Sequence, residues 1–164
     1  MKNKKGFTLV ELIIVVAIIA ILAGAIFVAI DPARRLHEVR NARRATDVAT
    51  ILDAIKQYQV DNEGEHFSAI ESMSAGSYYQ IGAGGTGCSI ACGEFTLQDA
   101  CVDLTGIGSS YLSRVPVDPK EGDADSTGYA VMKDFNGSIS IVACYAEQEG
   151  AGGTGNLPDI TISR

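Results

Sequence analysis

The chain has 164 residues, of which 46% are hydrophobic, and its 13 basic and 20 acidic residues give a net charge of −7. This length matches one domain, and the composition excludes a disordered chain, a collagen-like repeat and a polytopic membrane protein. Because the chain is acidic, no nucleic acid is predicted to bind it directly.

The charges are distributed unevenly along the chain. Residues 7–30 contain a single charged residue, Glu11, and a helix of that length spans about 36 Å, enough to cross a hydrocarbon core of about 30 Å. Five arginines follow: Arg34, Arg35, Arg40, Arg43 and Arg44. From residue 57 onward, 15 acidic residues oppose four basic ones. This order predicts an apolar anchor, a basic neck and an acidic head.

The apolar segment has two simple interpretations. The basic leader and the small residues 23–25 have the form of a secretory signal peptide and its cleavage site. However, the apolar run continues past that site to Ile30. A plain membrane anchor has no use for Glu11, since a carboxylate inside a bilayer costs about 2.5–3.5 kcal/mol. Neither interpretation explains this glutamate.

Residues 5–12, Lys-Gly-Phe-Thr-Leu-Val-Glu-Leu, together with the apolar run that follows, closely resemble the class III leader of type IV pilins and type II secretion pseudopilins. The resemblance implies that a membrane peptidase cuts between Gly6 and Phe7 and methylates the new N-terminal Phe7. It also implies that Glu11 pairs with the free amine of a neighbouring subunit. A buried charge met by an opposite charge is tolerated, and it fixes the register of an assembly.

The resemblance implies a structural protein. The sequence offers no nucleophile–base pair and no metal-ligand spacing, and it has only two histidines, so no enzymatic activity is predicted. We expect a leader (residues 1–6), a transmembrane and filament-core helix (7–30), an amphipathic helical half (31–62) and a globular head (63–164). The expected function is that of a prepilin, which polymerises with copies of itself into a type IV pilus-like filament. Two alternatives stay open: a pseudopilin of a type II secretion system, and a minor pilin for adhesion or DNA uptake.

The implied partners are a prepilin peptidase, a pilus or secretion assembly machinery, and the membrane. The precursor is expected in the cytoplasmic (inner) membrane with its N-terminus in the cytoplasm, and the filament is expected outside the cell. The lysines and arginines near the anchor point the other way, because the leader has three lysines and the neck has five arginines. The four cysteines and the leader resemblance favour a head outside the cytoplasm, and this is the expected topology.

The expected fold class is α+β, with a long N-terminal helix packed against a small antiparallel sheet. Asp31-Pro32 predicts a kink or a restart of the helix, and apolar residues at spacings of three and four continue it to about residue 62. Short helices are predicted at residues 97–105 and 109–114. Strands are predicted at residues 129–133 and 138–143, around the turn Asn136-Gly137, and a third at 159–163.

Four cysteines predict two disulfides in an exported domain: Cys88, Cys92, Cys101 and Cys144. Three pairings are possible, and the spacing does not choose among them. The spacing does not match a zinc finger, so no metal is predicted there.

Four carboxylates crowd the segment after Pro116: Asp118, Glu121, Asp123 and Asp125. Oxygen-rich loops of this kind bind Ca²⁺, and the segment partly resembles the calcium loop of major pseudopilins. A solvated acidic loop is the other interpretation; no cofactor is required in either case. The hexapeptide Gly-Ala-Gly-Gly-Thr-Gly, at residues 82–87 and again at 150–155, satisfies G-x-G-x-x-G. Neither copy has the βαβ context of a nucleotide site, so both are interpreted as flexible loops.

Overall fold

The N-terminal third of the molecule consists of two consecutive helices. The computed structural model describes residues 6–164, so the predicted leader before Gly6 lies outside the described residues. Helix α1 (Leu9–Ile30) and helix α2 (Pro32–Asp61) are separated by Asp31, whose φ of 46° is left-handed. Proline begins the second helix because its fixed φ and missing N–H suit a first turn. The predicted restart at Asp31-Pro32 is confirmed.

The head contains a short helix α3 (Ser68–Glu71) and a six-stranded sheet. The strands are β1 (Tyr78–Ile81), β2 (Ala91–Cys92), β3 (Phe95–Val102), β4 (Tyr129–Lys133), β5 (Ile139–Ala143) and β6 (Thr161–Ser163). Their spatial order is β2-β3-β1-β4-β5-β6. The β1–β3 pair is parallel and the other pairs are antiparallel. The α+β plan is confirmed, with a sheet that is mixed instead of wholly antiparallel.

The β4–β5 hairpin and the third strand lie where the sequence predicts them. The turn places Gly137 at a φ of 81°, a conformation that glycine adopts without steric cost. β6 pairs with β5, so that Ile162 lies opposite Ile141.

The helix predicted at residues 97–105 is wrong. Residues 95–102 form strand β3, which is bonded to β1 on one side and to β2 on the other. Pairing with neighbouring strands here overrides the local sequence preference. The helix predicted at residues 109–114 is also wrong. The chain makes a single turn, in which the amide of Leu112 donates to the carbonyl of Gly108 at 3.1 Å. A segment this short does not hold a helix by itself.

The main core lies between α2 and one face of the sheet. Val48, Ile51, Leu52 and Ile55 supply the helix side, and all four are at most 2% exposed. They pack with buried residues of β4 and β5, namely Tyr129, Val131, Ile139 and Ile141. A second, smaller core covers the opposite face of the sheet, around Cys92, Leu97, Ala130 and Val142. The head is therefore complete without α1.

Candidate assembly site

Helix α1 presents an apolar surface on every side. No residue of α1 is buried in the described part of the chain, residues 6–164. Its leucine, isoleucine and valine side chains are 47–79% exposed. Fully burying one such side chain contributes about 1.5–3 kcal/mol. By length and composition, this is the one helix among the described residues that could cross a membrane. The helix therefore requires an apolar environment, either lipid or other helices.

The N-terminus of α1 is held by a reciprocal pair of side chains. The amide of Glu11 donates to the hydroxyl of Thr8 at 3.2 Å, and the amide of Thr8 donates to Glu11 Oε2 at 2.8 Å. The Thr8 hydroxyl donates to the same oxygen at 2.8 Å. This is a capping box, in which two otherwise unpaired amides of the first turn are satisfied. The carboxylate of Glu11 is thereby folded back toward the peptide that joins Phe7 to Thr8.

The neck is bound to the head by a buried ion cluster. Arg44, which is fully buried, donates from Nε to Asp118 Oδ2 at 2.6 Å and from Nη2 to Oδ1 at 3.0 Å. It also donates to Glu147 Oε2 at 3.0 Å. Arg40 donates to both oxygens of Glu147, at 2.5 and 2.8 Å. Two-point pairs of this kind are among the stronger hydrogen bonds in proteins.

The arginines set the ionisation of both acids in the cluster. Burial by itself would raise the pKa of Asp118, but Arg44 and the amides of Lys120 and Glu121 hold that pKa below its ordinary value. The hydrogen bonds from Arg40, and secondarily from Arg44, lower the pKa of Glu147 to about 2 despite its partial burial. Both carboxylates therefore carry charge at neutral pH.

A segment after β5 runs along α2 as a strap, defined here as residues 147–153. The side-chain amide of Asn41 donates from Nδ2 to the carbonyl of Glu147 at 2.6 Å, and the carbonyl of Gln148 lies 2.7 Å from His37 Nδ1. At the helix break, the amide of Gly152 donates to Asp31 Oδ2 at 2.7 Å. The strap connects the sheet to the neck along three turns of helix. It contains part of the second Gly-rich hexapeptide.

Both copies of the hexapeptide allow close packing. A Cβ at Gly82 in the first copy would collide with the carbonyl of Asp125. A Cβ at Gly153 in the second copy would lie 2.7 Å from the ring of His37. Glycine is required at these two positions because another part of the chain occupies the space of a side chain.

The structure pairs the four cysteines as Cys88–Cys101 and Cys92–Cys144. The first bridge closes 13 residues between the Gly-rich loop and β3. The second closes 52 residues and ties β2 to the segment after β5. The Cys92–Cys144 bridge lies at the smaller core, where Cys144 packs against the buried Cys92 cluster.

The acidic segment does not gather its four carboxylates. Asp118 is engaged by Arg44, whereas Asp123 Oδ1 accepts the amides of Asp125 and Ser126 at 2.9 and 2.7 Å. Among residues 6–164, no group of three or more His, Cys, Asp or Glu side chains is placed to hold a metal ion. Asp118 is therefore a structural ion-pair partner. Calcium binding by the four residues named from the sequence, Asp118, Glu121, Asp123 and Asp125, stays a prediction.

Arg44 pairs with Asp118 and Arg40 with Glu147, and neither pair was predicted from the sequence. One signal was available for the first pair. Arg44 lies four residues before Val48, on the apolar face of α2, where a charge requires a buried partner. The partner itself, 74 residues away, could not be identified from the spacing. The local pairs Arg34–Glu38 and Arg43–Asp47 are present at 2.7 and 3.7 Å.

The chain thus combines an exposed apolar helix, capped at Thr8 through Glu11, with an α+β head. Residues 1–27 match the family model of the prokaryotic N-terminal methylation motif. The chain is also 45% identical over 65 residues to the type IV wide pilus major component PilA4 of Thermus thermophilus. That match covers 38% of this chain and 46% of the relative, so it spans less than half the relative's length. No solved structure matches the chain significantly. The resemblance to type IV pilins, predicted from the leader, is confirmed.

Proposed function

We propose that the chain is a prepilin that polymerises through α1 into a type IV pilus-like filament outside the cell. The observation that carries this proposal is α1 itself, a helix with no buried residue among those described. An apolar surface of this extent is stable in lipid before assembly and between other copies of α1 afterwards. The methylation motif and the pilus component similar to this chain support the same function.

The proposed processing creates a charge beside Glu11. Cleavage between Gly6 and Phe7 leaves a free amine on Phe7, one residue before the Thr8 amide that Glu11 already accepts. Both bonds from Thr8 go to Oε2, so Oε1 is the oxygen that can accept the amine of a neighbouring copy. A prepilin peptidase would make the cut and methylate Phe7, and an assembly machinery would add each subunit.

The proposed topology places the N-terminus in the cytoplasm and the head outside. The five neck arginines oppose this topology when they are counted alone. In the folded chain each of them lies within 4.0 Å of a carboxylate, three along α2 and two with the head. The positive charge of the neck is therefore partly offset by carboxylates in the folded chain.

The calcium-like loop is the feature that favoured the pseudopilin alternative. Because Asp118 is bonded to Arg44, the loop offers one carboxylate fewer than that alternative assumed. The prepilin of a pilus-like filament is the function that the geometry supports best.

The experiment is to measure the intact mass and N-terminal residue of the protein from its native host, with filaments counted by electron microscopy. We expect a chain that starts at methylated Phe7. Gly6→Ala should block cleavage, and Glu11→Ala should leave cleavage intact but abolish filaments. Thr8→Ala is the matched control, because it removes the capping hydroxyl and retains the carboxylate. A chain that starts at Ile26, or normal filaments in Glu11→Ala, would contradict the proposal.

A further inference from the structure

One side of α2 in the neck remains uncovered. Arg35, Leu36, Val39 and Arg43 lie within an arc of about 100° on the helix, and we call this surface the neck face. Leu36 and Val39 are 58% and 67% exposed, and the side chains of Arg35 and Arg43 are 69% and 60% exposed. The strap covers the other side of the helix, along His37, Arg40, Asn41 and Arg44.

The neck face carries positive charge that its own helix does not fully neutralise. Arg34 and Arg35 share the single carboxylate of Glu38. Arg43 lies 3.7 Å from Asp47, whose carboxylate also accepts the hydroxyl of Tyr129 at 2.8 Å. Two exposed apolar side chains therefore lie between two incompletely paired guanidinium groups.

The head offers the complementary charge. Three exposed carboxylates lie within five residues, at Glu121, Asp123 and Asp125, and we call residues 121–125 the acidic loop. Oppositely charged patches orient two proteins and select the correct partner, while apolar contacts contribute affinity. Because the bond from Arg44 to Asp118 holds this part of the head against the covered side of α2, the acidic loop of one chain does not lie against its own neck face.

We propose that the neck face binds the acidic loop of a second copy of this chain. The inference rests on the proposed filament function and deepens it, because it names the contact between the neck of one subunit and the head of another. The two surfaces differ, so the contact is heterologous. A heterologous contact whose rotation does not close produces an open helical assembly.

A membrane is the other partner that an apolar and basic helix face would fit. Counted along the helix, Val39 lies about 14 Å and Arg43 about 20 Å beyond Ile30. The headgroup layer is only about 5–8 Å thick on each side of the hydrocarbon core. The middle and far end of the neck face therefore lie past the depth of lipid headgroups, which favours a protein partner.

Charge exchange in the full chain tests the inference. Arg35→Glu combined with Arg43→Glu should lower the yield of sheared filaments about tenfold, and Asp123→Arg combined with Asp125→Arg should do the same. All four changes together should restore most of the yield. Arg114→Glu is the single-site control, since it makes one substitution of the same kind at an exposed arginine outside the neck. The amount of each variant precursor in the membrane fraction is measured as well, because a variant that does not fold should be degraded and present at a lower level.

A cross-link provides a second, independent measurement. All four native cysteines are in disulfides, so a short bismaleimide reacts with introduced thiols. Val39→Cys with Ala124→Cys should give a ladder of linked subunits in filaments, and Val39→Cys alone should stop at dimers or below.

The outcomes separate the inference from the proposed function. Normal yield in both double variants, or no ladder in filaments that do form, would overturn the neck-face contact while the filament function stands. A parent chain that is processed but forms no filaments would overturn both. If Arg35→Glu with Arg43→Glu leaves filaments normal and instead weakens binding to vesicles with anionic phosphatidylserine, the neck face serves the membrane and the inference is wrong.

Discussion

Arg44 is a charged residue at a core position of α2, and its partners explain how the head accommodates it. The guanidinium donates to Asp118, Glu147 and the side-chain oxygen of Asn41. A buried pair of this kind adds little net stability compared with apolar residues, but removing one partner leaves a charge buried and unpaired. Removing one partner is therefore expected to lower the free energy of unfolding by more than the intact pair contributes to it.

Arg44→Ala should lower the free energy of unfolding by about 3–5 kcal/mol, because Asp118 then lies buried without its partner. Arg44→Met combined with Asp118→Asn should cost clearly less, since neither substitution leaves an unpaired charge. The measurement is denaturant unfolding of the full chain in detergent, followed by tyrosine fluorescence. If Arg44→Ala lowers the free energy of unfolding no more than the double variant does, an unpaired buried Asp118 is not the cause of the loss.

Glu147 makes the stability of the head depend on pH. Its pKa is lowered from 4.5 to about 2 in the folded chain, so the folded state binds the proton less readily than the unfolded state does. The stabilisation that Glu147 contributes is therefore complete above about pH 5 and is lost as the pH falls toward about 2. Asp118, whose pKa is also lowered, acts in the same direction.

Glu147→Gln should melt at a lower temperature than the parent at pH 7. The difference between the two melting temperatures should become smaller as the pH falls from about 5 to about 3. Melting temperatures across that range provide the measurement. Glu149→Gln is the matched control, because this neighbouring residue of the strap accepts only from Asn41. A gap that stays constant with pH would mean that the charge of Glu147 is not the cause.

At the scale of elements, the helix break at Asp31 connects the anchor to the head. The residue adopts left-handed backbone angles and caps α2 through the amide of Arg34 at 3.3 Å. Its other carboxylate oxygen accepts the amide of Gly152 from the strap. One side chain thus fixes both the start of α2 and the end of the strap.

Asp31→Ala should destabilise both the start of α2 and the end of the strap. Loss of the helix cap alone should lower the free energy of unfolding by about 0.5–2 kcal/mol. Asp31→Asn should retain most of the cap, since asparagine accepts the same amide bond and tolerates left-handed angles. Hydrogen exchange of residues 32–40 and of the strap provides the measurement. Faster exchange is expected in both segments for Asp31→Ala, and faster exchange in only one of them would separate their roles.

At the scale of the whole molecule, the core lies between α2 and the sheet, and α1 contributes nothing to it within the described residues. The charged strap and the two disulfides also lie within residues 31–164. Folding of the head and assembly of the filament should therefore be separable.

A chain of residues 31–164 should fold, remain monomeric and melt within a few degrees of the full chain in detergent. Circular dichroism and size-exclusion chromatography provide the measurements. An aggregated or unfolded product would show that α1 supports the head. The same chain should form no filaments, because the apolar surface that drives assembly is missing.

Local patterns in the sequence determined much of this protein. The leader residues, the apolar run, the stop and restart at Asp31-Pro32, the apolar face of α2 and the Asn136-Gly137 hairpin each depend on residues only a few positions apart. Spacing along the chain reports such features directly, because helices and hairpins are built from near neighbours.

Only the tertiary structure decided which distant residues meet. Arg44 and Asp118 are 74 residues apart, Arg40 and Glu147 are 107 apart, and Cys92 and Cys144 are 52 apart. β3 became a strand because β1 and β2 pair with it, although its own sequence favoured a helix. Contacts of this kind depend on how the whole chain packs, since the pairing energy arises only after the intervening segments have folded.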